Sequence, residues 1–143
     1  MTAEQTWREF SDPKFALRFA YPEFSPQGHP TEVKESVFAN AVRIHLMSPE
    51  KKEIYFEVTR YPKLLPEQSY EQLKEEVENR FGASVSLLTP STFMGFPAFE
   101  MHFEWSVAKR FVIFFPKDGS LYRILYDPTS ALNLQIRSTL EFL

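Results

Sequence analysis

The chain contains no cysteine, which removes disulfides, thiolate metal sites and thiol nucleophiles together. Glycine is scarce, four residues in 143, and no GxGxxG or Walker pattern is present. Phosphate cradling and dinucleotide binding therefore have no basis in the sequence. No block of lysine or arginine occurs, and the net charge is −3. A nucleic-acid backbone as main partner would call for a basic surface, so nucleic acid is not expected. No run approaches the roughly 18 apolar residues of a membrane helix, so no membrane span is expected. Met1 to Glu9 is polar and lacks the apolar centre of a signal peptide. As written, the chain is expected to be cytoplasmic, or exported if a leader has been removed.

What is abundant is aromatic carbon. Hydrophobic residues make up 43% of the chain and aromatics 16%, with fifteen phenylalanines. That length and composition predict a single domain over 1–143 with an aromatic-rich core that needs no staples.

The punctuation is sharpest near the C-terminus. Phe114 to Tyr126 reads as two strands around Asp118-Gly119, a strong hairpin signal because glycine accepts the positive φ of a tight turn. Asp127-Pro128 then has the form of a helix start, with Asp127 as N-cap and Pro128 where a missing N–H costs nothing. Leu132, Ile136, Leu140 and Leu143 repeat at helical spacing and give that helix one apolar face. Arg110 to Pro116 is apolar on both faces, which predicts a central strand with a layer on each side.

Upstream, Phe15 to Tyr21 alternates as a strand with one buried face, and Pro22, Pro26, Gly28 and Pro30 mark an irregular loop. Val42, Ile44 and Leu46 point inward and Arg43 and His45 outward, returning through a charged tip at 48–53 to Ile54, Phe56 and Val58. Ser69 to Phe81 reads as a helix, with Tyr70, Leu73, Val77 and Phe81 as its stripe and Gly82 as its C-cap. Glu71, Glu75, Glu76 and Glu78 form its solvated face. Val85 to Thr92 and Ala98 to Val107 are strands flanking a turn at 93–97. The class this predicts is α+β, a mainly antiparallel sheet with helices on both faces.

Three blocks carry a likeness: Phe15-Ala-Leu-Arg-Phe-Ala-Tyr-Pro22, Gly95-Phe-Pro-Ala98, and Gly119 to Asn133 continuing to Ile136, Thr139 and Phe142. Together they resemble the PsbP-like family, the α/β/α sandwich shared by the extrinsic photosystem II protein PsbP, a Ran-binding nuclear import factor and small bacterial proteins of unassigned role. The resemblance covers nearly the whole chain in order and rests on packing and turn motifs. It implies a binding or accessory module, not an enzyme, with no family-wide catalytic residue and no cofactor.

Candidate chemistry is sparse. Glu100, His102 and Glu104 share one face of a strand, with β-carbons about 7 Å apart, a spacing that brings two ligands to one metal but rarely three. The bland counterpart is an exposed polar strand face. A Ser130, His102 and Asp127 triad can be drawn on paper, but Ser130 lacks an elbow motif and both it and Asp127 serve better as helix-start residues. His45 and His29 stand alone. Phe24, Leu64 and Leu65 fall in proline-rich loops, where they either fold back as lids over the core edge or stand out as an interface.

These readings converge on a non-catalytic module with an unidentified protein partner and no set oligomeric state. The alternatives are a metal-binding protein or metal-dependent enzyme using Glu100, His102 and Glu104, and a chaperone-like module holding an apolar segment.

Overall fold

Most of the described aromatic and β-branched residues lie on strands. A computed structural model describes residues 6–25, 27–38, 41–48, 54–61, 75, 79, 89–105 and 108–143. The strands are β1 (Trp7–Asp12), β2 (Leu17–Pro22), β3 (Glu32–Phe38), β4 (Ala41–Met47), β5 (Tyr55–Tyr61), β6 (Thr89–Phe93), β7 (Phe96–Trp105), β8 (Ala108–Lys117), β9 (Ser120–Tyr126) and β10 (Glu141–Phe142). One named helix, α1 (Ala131–Ser138), precedes β10. A seven-stranded sheet runs β3-β4-β5-β9-β8-β7-β6, and a three-stranded sheet runs β1-β2-β10. All pairings are antiparallel.

β8 lies inside the large sheet, as its two apolar faces require. Phe111, Ile113 and Phe115 point to one side and join Ile44, Leu46, Phe56, Val58, Tyr122, Ile124 and Tyr126 in the main core. The small sheet and α1 close that side through Phe15, Leu17, Phe19, Ile136 and Leu140. Rings interlock there: Phe115 stacks on Tyr122 at 5.3 Å, and Phe142 meets both edge-on. Val112 and Phe114 point to the other side, into a second buried cluster with Phe99, Leu121 and Leu125.

The expected helix over 69–81 lies outside the described residues, except Glu75 and Asn79, which are helical and exposed. Among the described residues α1 alone is a complete helix, and helices on both faces are not seen. The stretches 49–53, 85–88 and 106–107 are likewise outside them.

Three local expectations change. Asp127 does not cap α1. Its Oδ1 accepts from the backbone N–H and hydroxyl of Thr129 at 2.8 and 2.6 Å, an Asx turn ahead of the helix. Ser130 holds the N-cap backbone conformation, without a side-chain cap bond. The helix also stops earlier than its apolar spacing suggested. Thr139 ends it, accepting from the Ala20 N–H at 2.8 Å and tying it to β2, so Leu140 and Leu143 lie beyond it and Leu143 is exposed. Finally, Arg43 and His45 point away from the main core but are half-buried on the second face, where Arg43 bonds Thr59 and Glu57 and His45 packs its ring on Tyr55.

Asn133, fully buried on α1, locks the helix to the sheet. Its Oδ1 accepts from the Tyr55 N–H at 3.0 Å and its Nδ2 donates to the Asp127 carbonyl at 3.1 Å. Asn133→Leu keeps the branched shape but strands two backbone groups and adds bulk at a fully buried site, so it is expected to lower unfolding free energy by about 2 kcal/mol or more in urea titrations. Burial raises the phenols of Tyr122 and Tyr126 above the usual value of 10.0. The folded state therefore holds these protons longer than the unfolded chain, and its stability falls as pH rises through the alkaline range. Tyr122→Phe loses the 2.8 Å bond to the Phe15 carbonyl and should cost about 1 kcal/mol at neutral pH. The same variant should show a shallower decline of the urea midpoint between about pH 9 and pH 11.

Candidate functional site

Two clefts and two polar clusters stand out among the described residues. The first cleft forms where β2 hands the chain to β3. Phe24 pairs with Pro30 across the loop, Gly28 turns it with a φ of 85°, and the Ser25 N–H bonds the His29 carbonyl at 2.7 Å. This tight Ω-like path holds Phe24 out from the core, 44% exposed. Phe24 lines a cleft of about 390 Å³ with Arg8, Tyr21, Glu23, Pro30 and Val33. Arg8 and Glu23 pair at 2.6 Å along it. Trp7 on β1 and Val33 and Val37 on β3 add further exposed apolar surface beside Phe24. Leu64 and Leu65 lie outside the described residues.

β3 is itself one edge of the seven-stranded sheet. The opposite edge, β6, is five residues long and carries Pro90, which removes a backbone donor and blunts it. β3 is seven residues long and free of proline.

Glu100 and His102 sit on one face of β7, on the side of Ala98, as the alternation required. Glu100 is half-buried and His102 exposed, its ring meeting Phe111 edge-on at 4.7 Å. The Glu104 side chain is outside the described residues. Among the described residues no group of three His, Asp or Glu side chains is placed to hold a metal ion. Ser130, His102 and Asp127 are used separately, at the helix start, on β7 and in the Asx turn.

Sequence reasoning missed the most buried charge among the described residues. Glu57, 6% exposed on β5, takes Arg123 at 2.6 Å and Arg43 at 2.8 Å on one carboxylate oxygen. Its register explains this: Glu57 pairs with His45 on β4 and Leu125 on β9, which sets Arg43 and Arg123 one step along on the same face. No motif could reveal it, since Glu57 and Arg123 are 66 residues apart. Two cations around one acid form a tie between three strands.

The second cleft, about 460 Å³, lies between the β6–β7 turn and α1 and contains Arg137. No described helix is long and apolar enough to cross a membrane.

Neither a family model nor a curated protein matches the sequence. A solved structure does match: the solution structure of cyanobacterial PsbP (CyanoP) from Synechocystis sp. PCC 6803 aligns with a TM-score of 0.60, over 99% of this chain and 95% of that one. The fold is PsbP-like. At 12% identity the PsbP likeness shows architecture alone, and activity does not travel with architecture.

Removing Glu57 leaves two guanidiniums facing each other in a poorly hydrated layer. Glu57→Ala is expected to cost roughly 3 kcal/mol, the low end for a broken buried pair because Arg43 keeps some solvent. His102→Ala should move stability by less than about 0.5 kcal/mol and leave metal content unchanged. Urea titration and elemental analysis of both variants check the contrast.

Proposed function

We propose that this chain is a single PsbP-like domain acting as a non-catalytic binding or accessory module, with a protein partner seated on the Phe24 cleft and the β3 edge. The observation that carries this reading is the apolar surface concentrated there. Phe24, Trp7, Val33 and Val37 are all exposed, while the other described aromatic side chains pack in or against the two core clusters. Apolar side chains held out by an ordered loop, beside a strand edge free of proline, are the materials of a protein interface. The fold as an α/β/α sandwich belongs to the same proposal. Burial of Phe99, Val112 and Phe114 on the second face supports a covering layer that includes the helical residues Glu75 and Asn79.

A photo-crosslinking benzoylphenylalanine placed at Phe24 should capture one specific protein in native lysate, and the same group at exposed Asp118 should not. Binding of that protein, once purified, should weaken about tenfold in Phe24→Ser, as expected for loss of one buried aromatic side chain. The melting temperature should stay within a few degrees, because Phe24 is half out of the fold already. Equal affinity of wild type and Phe24→Ser would remove the proposed interface. Hydrolysis of an ester, phosphate or glycoside abolished by one Glu or His substitution would remove the non-catalytic reading.

A further inference from the structure

Two hairpins of the large sheet have the same backbone at their tips. Asp118 and Gly119 have φ of 50° and 76°, and Met94 and Gly95 have φ of 50° and 85°. A two-residue turn with positive φ at both positions favours Asn-Gly or Asp-Gly. The β8–β9 turn has that pair. The β6–β7 turn instead puts a long side chain in the left-handed region, where bulky residues fit poorly. Met94 gains no core burial in return, being 49% exposed.

Facing it is an equally odd pair on α1. Leu134 is 45% exposed, and Arg137 shares a groove with it, lined also by Phe93, Met94 and Leu140. The Arg137 guanidinium is caged, its carbon 5.2 Å from the Phe93 ring centre, 5.5 Å from Phe111 and 5.7 Å from Tyr126. Nη1 donates to the Tyr126 hydroxyl at 2.7 Å. No carboxylate pairs with Arg137 among the described residues. Guanidinium donors form a planar fork matched to a carboxylate, and ring stacking fixes that fork before any ligand arrives.

We propose that this groove is a second binding site, for a peptide segment carrying an aliphatic side chain next to a carboxylate. The carboxylate takes the open donors of Arg137, and the aliphatic group packs on Met94 and Leu134. Methionine suits such a rim, because its flexible thioether adapts to different apolar side chains. The site lies beside β6, at the opposite edge of the seven-stranded sheet from β3. Its fate is therefore independent of the Phe24 cleft.

The test is an NMR titration of isotope-labelled protein with an acetylated peptide bearing two leucines followed by an aspartate, and with its asparagine counterpart. Saturable shifts are expected at amides of residues 92–95 and 134–138 with the aspartate peptide, and about tenfold weaker binding with asparagine. Arg137→Gln should lose about tenfold. Met94→Asn separates binding from folding: it suits the turn better, so it should raise the melting temperature while weakening the aspartate peptide. Absence of shifts at millimolar peptide would overturn the proposal. So would equal affinity for the two peptides, or undiminished binding by folded Arg137→Gln. Should Arg137→Gln fail to fold, the peptide pair and Met94→Asn still decide.

Discussion

Strand β8 buries every side chain from Phe111 to Phe115, and most of the architecture follows from having to cover it. Alternate side chains on a strand point to opposite faces, so five consecutive buried residues need packing on both. On one side the small sheet and α1 supply it, through Phe15, Phe19, Ile136 and the ring stack of Phe115, Tyr122 and Phe142. The remaining cost is polar: a turn at residues 13–16 brings backbone carbonyls next to this apolar layer. Tyr122 answers the Phe15 carbonyl, and Arg60 answers that of Lys14 at 2.9 Å. The phenol thus sits in the aromatic stack with its polar end satisfied, as a buried tyrosine requires.

What was legible in the sequence is what local chemistry determines. Asp118-Gly119 specifies its turn through two backbone dihedrals, and Phe111–Phe115 specifies a central strand through composition alone. What was not legible depends on distant partners or on weak patterns. β1 and β3 are half-exposed edge strands, with charge where alternation would otherwise show, and β10 is two residues long. Asp127 is ambiguous in sequence because an Asx turn and an N-cap use the same acceptor geometry and the same Asp-Pro-Thr spelling. The helix start moved to Ser130 because Asn133 must reach Tyr55, a contact 78 residues away. Glu57 carries no local signal, because its partner Arg123 is 66 residues away.

The candidate sites divide along the same line. Phe24 was visible because an aromatic residue between prolines has little local reason to be there. Arg137 was not, because its cage draws rings from β6, β8 and β9 onto a helix. A signal existed all the same. Met94-Gly95 places methionine where the turn asks for asparagine or aspartate, and a violated turn rule is a local conflict that folding alone does not explain.

A fold shared at 12% identity must rest on constraints that many sequences can meet. Here these are tight-turn dihedrals, a doubly covered central strand and a filled aromatic layer. None of them fixes what stands at the two ends of the seven-stranded sheet. Those ends carry different solutions: β6 is short and closed by Pro90, beside a groove with a caged cation, whereas β3 is longer and flanked by apolar side chains. Packing tolerates either end being polar and blunt. This chain departs from that cheaper choice in Phe24 held outward and Met94 held in a left-handed turn, and the two proposed binding surfaces are built on those departures. The common fold supplies the frame, and what distinguishes this chain from others of the same fold lies in the residues that the frame leaves unconstrained.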